Sequence, residues 1–354
     1  MNGDRIEWTA FELLDGVRRA QGAALDALGL GPIETPYETV LSEPGVSLRR
    51  YGRGSDRGPA VLLVPAPIKR PYIWDLAPEV SVVQRCLAAG VRPFLIEWQP
   101  AERDFGLAAY AERLILDCID ATGSRDAVLV AHSLGGLFAA VFAALHPDRV
   151  RGLVLLAAPL HFARDVGIFG AMVDGVRPDD LPASIPGSFL SSASFRASPG
   201  TFGWDRWADF LSSLPEPAAL GTHLRVERWT LDEFALPRRL FAELAQRIAR
   251  EDAFVRGTLE IGGRTARPSQ VTAPLVCVLD ERCRVVPPDA VMPFYAAAGS
   301  ADKTLLHYDG DVGVSLQHVG VLVGRHAHAR LWPEILRWIV ARSVAGGPQA
   351  EQAA

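Results

Sequence analysis

The sequence is short of several things, and each shortage removes a class of protein. Lys69 and Lys303 are the only lysines among 36 basic residues, and no long basic run occurs in the 354 positions. With a net charge of −5, this argues against nucleic acid as the main partner. The four cysteines, Cys86, Cys118, Cys277 and Cys283, lie far apart or inside apolar runs. That spacing gives no disulfide framework and reads as reduced thiols of a cytoplasm. No segment reaches the roughly 18 apolar residues of a membrane span. The longest apolar stretch, Leu134 to Leu145, follows a serine and a histidine and reads as a buried core helix. The opening Met-Asn-Gly-Asp-Arg lacks the basic-then-apolar pattern of a signal peptide, so a cytoplasmic site is expected. Internal repeats and low-complexity tracts are missing too. Apolar residues, by contrast, make up 49% of the chain against 22% charged, enough to bury a large core and to exclude global disorder.

The apolar residues are distributed with changing period. Residues 8 to 30 repeat at helical spacing, with a start signal at Thr9 and a stop at Gly29, which predicts an N-terminal helical segment over 1–34. Tyr37 to Leu41 and Val46 to Tyr51 alternate as two short strands around a Glu-Pro-Gly turn. Purely aliphatic runs follow at Ala60 to Val64, Pro93 to Ile96, Ala127 to Val130 and Leu153 to Leu156. Helical stretches such as Ala108 to Ala121 and Leu134 to Leu145 separate them. Continuous apolar strands alternating with helices predict a mostly parallel sheet covered on both faces. The rhythm breaks over 161–230, where Pro, Gly and Ser mix with Phe189, Phe195, Phe202, Trp204, Trp207 and Phe210. So many aromatics suit an inserted, mainly helical cap better than a linker. The core is expected over 35–160 and 231–344, with strands resuming at Pro274 to Leu279 and Thr304 to Tyr308. A last helix is predicted over Ala327 to Ala341, and a disordered tail over 345–354.

The chemical signal is Val130-Ala131-His132-Ser133-Leu134-Gly135-Gly136, between an apolar strand and an apolar helix. A tight strand-to-helix turn needs small residues around the nucleophile and lifts its hydroxyl above the sheet edge. Ala131 stands where such turns usually carry a glycine. A serine there could also be a plain helix N-cap, but the flanking strand and helix favour a nucleophile. The proton acceptor expected in this chain order is His318, which follows the last strand within Leu316-Gln317-His318-Val319-Gly320. His307 lies within a strand, His326 and His328 belong to the start of the last helix, and His132 should point away from the serine. The acid should follow the strand ending at Leu279, where the sequence reads Asp280-Glu281-Arg282-Cys283-Arg284-Val285-Val286-Pro287. The usual acid position, four residues before the proline, holds Cys283. Asp280 is the first alternative, with Glu281, Asp309 and Asp311 behind it, and a Ser–His dyad is the other outcome.

Several segments together resemble the catalytic subunit of polyhydroxyalkanoate synthases of the short, two-subunit type. They are Thr35-Pro36-Tyr37-Glu38-Thr39-Val40, Val46 to Tyr51, Arg70-Pro71-Tyr72-Ile73-Trp74-Asp75-Leu76, and Phe94-Leu95-Ile96-Glu97-Trp98. The serine turn, Ala144 to Asp148, Val285 to Pro288 and His318-Val319-Gly320-Val321 continue the similarity, which runs over about residues 35 to 340. The resemblance implies an α/β-hydrolase fold with a cap, a Cys–His–Asp triad, and polymerisation of 3-hydroxyacyl-coenzyme A on the cysteine. This chain departs from it at Ser133, at Cys283, and at His161, which replaces an aspartate in Pro159-Leu160-His161-Phe162. For the oxyanion hole, the N–H of Leu134 supplies one donor. The second belongs to the turn Pro65-Ala66-Pro67-Ile68, where the prolines have no N–H; Ala66 or Ile68 remains, and the resemblance favours Ile68.

These readings predict a serine acyl-transfer enzyme, acyltransferase or esterase/thioesterase, acting on an acyl thioester or ester such as an acyl-coenzyme A. A serine ester is a poorer acyl donor than a thioester and needs base assistance to form, so the departures weaken polymer synthesis more than acyl transfer in general. The alternatives are a true polymerase using serine with a partner subunit, and a non-catalytic relative that binds acyl groups or a partner. No cofactor or metal is expected. A second copy or an accessory subunit is the expected protein partner.

Overall fold

The computed structural model describes residues 8–52, 58–100, 105–163, 166–174, 176–177 and 180–344. The expected tail over 345–354 lies outside the described residues.

The aliphatic runs form an eight-stranded sheet. Its strands are β1 (Tyr37–Glu43), β2 (Val46–Tyr51), β3 (Ala60–Val64), β4 (Arg92–Trp98), β5 (Ala127–His132), β6 (Val150–Leu156), β7 (Leu275–Asp280) and β8 (Lys303–Tyr308). Their spatial order is β1-β2-β4-β3-β5-β6-β7-β8. The hairpin β1–β2 joins β4 antiparallel, and every later neighbour pair is parallel. Alternate residues of a strand face opposite sides. Leu62, Val64, Leu129 and Ala131 therefore enter one apolar core, while Val61, Leu63, Val128 and Val130 enter the other. Burial on both faces is why these strands read as unbroken apolar runs.

Helix α1 (Trp8–Ala27) precedes the sheet, and Gly29, at φ 78°, ends it as expected. Helices α2 (Val82–Ala88), α3 (Leu114–Ala121) and α4 (Leu134–Leu145) cover the strands. The helix expected over 108 to 121 is present, with its first turns, Ala109–Arg113, wound more widely as a π-helical stretch that runs directly into α3. Every residue of α4 is buried, as its composition requires. None of the described helices is long and apolar enough to cross a membrane.

Between β6 and β7 the chain leaves the sheet. It forms α5 (Gly187–Ala197), α6 (Asp205–Ser213), α7 (Pro217–Thr230), a short helix at Arg238–Glu243 and a small hairpin of Leu259–Ile261 with Arg264–Ala266. The main sheet is re-entered only at Leu275. Helix α1 docks against this excursion: Asp15 accepts the Ser188 N–H at 2.7 Å, Asp26 pairs with Arg228 at 2.7 Å, and Trp8 packs on Phe189. After β8, α8 (Gln317–Val323) and α9 (Trp332–Val344) complete the described residues.

Candidate active site

In open parallel sheets, ligand sites form beyond the carboxyl ends of the strands, where the strand order reverses. Here β3 sits between β4 and β5, and residues after β3, β5, β7 and β8 line one common cavity.

Ser133 follows β5 directly. Its backbone lies at φ 55° and ψ −134°, a conformation that a non-glycine residue keeps only when its surroundings hold it there. The Ser133 N–H donates to Leu156 O at 3.1 Å, and its carbonyl accepts from Gly136 N at 2.8 Å. Gly135 allows the turn to close: a Cβ there would sit 2.3 Å from Val64 O. The start of α4 therefore presses against the end of β3. Leu134, its first residue, carries one of the orphan N–H groups of a helix start. Across the gap, the loop after β3 is pinned at both ends. Trp98 Nε1 donates to Pro65 O at 2.8 Å, and Phe234 N donates to Ile68 O at 3.0 Å.

His318 lies in the first turn of α8 and is almost fully buried. Its Nδ1 faces Cys283 Sγ at 3.5 Å, and that sulfur also receives the Val286 N–H at 3.4 Å. Burial, and then the neighbouring His132, hold the His318 imidazole well below its ordinary pKa. Burial pushes the Cys283 thiol up to about 12, so it carries no charge near neutrality. His132 is itself held neutral by burial, at about 4. Its Nε2–H donates to the His318 carbonyl at 2.8 Å, and the two rings lie 4.6 Å apart.

Among the described residues, none of the carboxylates expected as acids is hydrogen-bonded to His318. Asp280 is buried, but its Oδ1 accepts the Arg282 N–H at 2.9 Å, and its other oxygen has no hydrogen-bond partner among the described residues. Burial raises its pKa. Glu281 stands on the surface near His307, at 3.7 Å. Asp311 Oδ2 accepts from Tyr308 Oη at 3.0 Å and from His326 N at 2.9 Å. The Asp309 carbonyl takes the Arg282 guanidinium. The side chain brought to Nδ1 is thus Cys283, while Asp280 bonds within its own turn. His161, another departure noted in the sequence, pairs with Asp252 at 2.7 Å.

Ser133, Leu134, Ile68, His132 and His318 line one cavity of about 580 Å³. Further walls come from the excursion between β6 and β7, including Ile168, Phe169, Met172, Leu190, Phe195 and Phe202, and from Ile73, Trp74 and Leu316. Two of the six aromatics singled out in 161–230, Phe195 and Phe202, therefore face the cavity. Phe189 packs with Trp8 and Phe11, while Trp207 and Phe210 pair with each other. The cavity also has a charged end. Lys69 Nζ donates to Glu233 Oε1 at 2.7 Å, and Arg18 from α1 reaches Glu233 Oε2 at 3.3 Å. Burial lowers the Lys69 pKa while Glu233 opposes the shift. His132, expected to point away from the serine, instead lines the same cavity and bonds the His318 carbonyl, because it turns toward α8; sequence reasoning missed Arg18. The position of His132 next to the serine was a usable signal, whereas nothing local marks Arg18.

A family model described as the alpha/beta hydrolase fold matches residues 61–206. The enol-lactonase of Burkholderia xenovorans LB400 superposes with a TM-score of 0.54 at 13% identity, over 86% of this chain and 99% of that one. The protein has the α/β-hydrolase fold. Its sequence relatives are narrower in kind. It is 28% identical to the poly(3-hydroxyalkanoate) polymerase subunit PhaC of Allochromatium vinosum over 345 residues, which is 93% of this chain and 96% of that protein. The subunit of the same description from Thiocystis violacea is 27% identical over 96% of this chain and 98% of its own length. Relatedness to these subunits, together with the fold, supports an acyl-transfer or hydrolase enzyme.

Proposed function

We propose that the chain is a serine acyl-transfer enzyme acting on an acyl thioester or ester. The observation that carries this reading is the left-handed backbone of Ser133, at φ 55°, opening into a cavity that His318 also lines. In the reaction, Ser133 Oγ attacks the acyl carbonyl while its proton passes to His318 Nε2. The carbonyl oxygen gains negative charge and is received by the N–H groups of Leu134 and Ile68. The tetrahedral centre collapses, the bond to the leaving thiol or alcohol breaks, and that group takes the proton from His318. Water, a hydroxyl or an amine then attacks the acyl-serine by the same route in reverse. Productive geometry requires Nδ1–H to be donated to Cys283 Sγ. A neutral thiol stabilises the transient imidazolium far less than a carboxylate would, so the pair works as a dyad with a weak third member.

The apolar cavity walls suit an acyl chain, and the excess of basic lining residues (Arg18, Lys69, Arg70, Arg196 and Arg206 against Glu227 and Glu233) suits a donor bearing anionic groups such as an acyl-coenzyme A. A second reading, polymerisation of 3-hydroxyacyl units on Ser133 with an accessory subunit or a second copy, is favoured by the similarity to polymerase subunits over nearly both full lengths. The test is a fluorophosphonate labelling reaction, run beside turnover of a short acyl ester and of 3-hydroxybutyryl-coenzyme A. Labelling and turnover lost together in Ser133→Ala are expected. Polymer in the products would select the second reading. A wild-type protein that neither labels nor turns over would leave only a non-catalytic acyl- or partner-binding role.

A further inference from the structure

A polar cluster between the excursion and the loop that delivers His318 is not used by the chemistry above. The loop, residues 309–316, connects β8 to α8 and has unusual backbone. Gly313 lies at φ 82°, where a Cβ would meet Ala219 O at 2.5 Å, and Ser315 lies at φ 59° without being glycine. One side chain holds both residues. Asp209 of α6 accepts the Gly313 N–H on Oδ1 at 2.9 Å and the Ser315 N–H on Oδ2 at 2.7 Å. His223 Nδ1 of α7 lies 2.7 Å from the same Oδ2. Beside it, Glu227 receives the Ser315 hydroxyl and a two-point contact from Arg206. Arg206 and Glu227 also line the cavity that holds Ser133.

All three partners of Asp209 can donate to it, so the position calls for a group that accepts on both oxygens. Asparagine, with one oxygen and one NH₂, would leave an N–H facing an N–H. A strained residue such as Ser315 keeps its conformation only while its surroundings over-determine it. His318 stands three residues further on.

We propose that Asp209 is a positioning residue: from α6 it clamps the strained loop 309–316 and so sets where the His318 ring sits. The proposal rests on the reading of His318 as the proton-transfer group. The excursion between β6 and β7 then does more than roof the cavity. It completes the base, and a substrate that touches Arg206 or Glu227 from inside the cavity touches the same cluster.

The test compares full-length wild type with Asp209→Asn. Three results are expected: faster hydrogen exchange at the Gly313 and Ser315 amides, shifted nitrogen NMR signals of the His318 ring, and a kcat about 10²-fold lower with KM little changed. That loss is the size a misplacement near 1 Å produces. In a His318→Ala background, the same substitution should slow fluorophosphonate labelling no further, because the two act through one group. Asp209→Glu keeps both oxygens and serves if the amide variant does not fold. One methylene longer, it should push the loop outward and lower kcat about tenfold. Unchanged ring signals, or shifted signals with an undiminished kcat, would overturn the proposal. Failure of wild type to label would overturn the serine reading instead. The ring signals would still decide the role of Asp209, since they report where His318 sits and not what it does.

Discussion

The serine turn and the histidine loop meet in one cavity but are built in opposite ways. Ser133 is held by neighbours close in sequence: β5 runs into it, α4 leaves from it, and Gly136 N bonds back to its carbonyl. Only the ends of β3 and β6 are added from elsewhere. His318 depends on distant segments. Cys283 after β7 faces its Nδ1, His132 before the serine bonds its carbonyl, and Asp209 grips the loop before it. A local motif tolerates change in remote parts of the chain, whereas a histidine held by three segments can be loosened from any of them.

The largest expected effect falls on the local side. Ser133→Ala should lower acyl turnover by at least about 10⁴-fold with the fold intact, since the attacking atom is gone. Measurable turnover at the wild-type rate would mean that another nucleophile acts and that the serine turn is a plain helix start. On the assembled side, Cys283→Asp should raise kcat/KM by about 10- to 100-fold, because a carboxylate facing Nδ1 stabilises the imidazolium. The same variant should change the pH profile in a definite direction. Wild-type His318 is held neutral below the ordinary histidine range, so activity that needs the neutral ring persists as pH falls through that range. A carboxylate favours the charged ring, and the acid limb should move to higher pH in Cys283→Asp. An acid limb that stays in place would show that the new carboxylate does not reach Nδ1. The smallest effect is expected for Asp280→Asn, within about threefold of wild type in kcat/KM, as Asp280 bonds its own turn and not His318. A loss matching His318→Ala would return Asp280 to the catalytic group and reverse the contrast drawn between the two sides.

Legibility in the sequence followed the same divide. The strands at Ala60 to Val64 and the helix from Leu134 to Leu145 were readable to the residue, because burial on all sides demands unbroken apolar runs. Boundaries were missed where polar residues sit on strand ends, as at Arg151 in β6, which pairs with Asp126 beside β5. The helix over 108 to 121 was readable, but not the π-helical winding of its first turns, which apolar spacing does not encode. In the site, the serine turn was plain because its requirements are steric and contiguous. The acid was not, because the turn after β7 folds Asp280 back onto Arg282 N and turns Cys283 toward the histidine. Residue order alone does not distinguish those two outcomes.

The sequence by itself determined a mostly parallel sheet with buried strands, a tight strand-to-helix turn at Ser133 and a histidine after the last strand, since each depends on side-chain period or on neighbours within a few positions. Only the tertiary structure decided which group faces His318 Nδ1, that His132 steadies it, that Arg18 reaches the cavity, and that Asp209 grips the loop. Those relations join residues far apart in the chain. They depend on how the loops at one edge of the sheet pack together, and no local pattern carries that information.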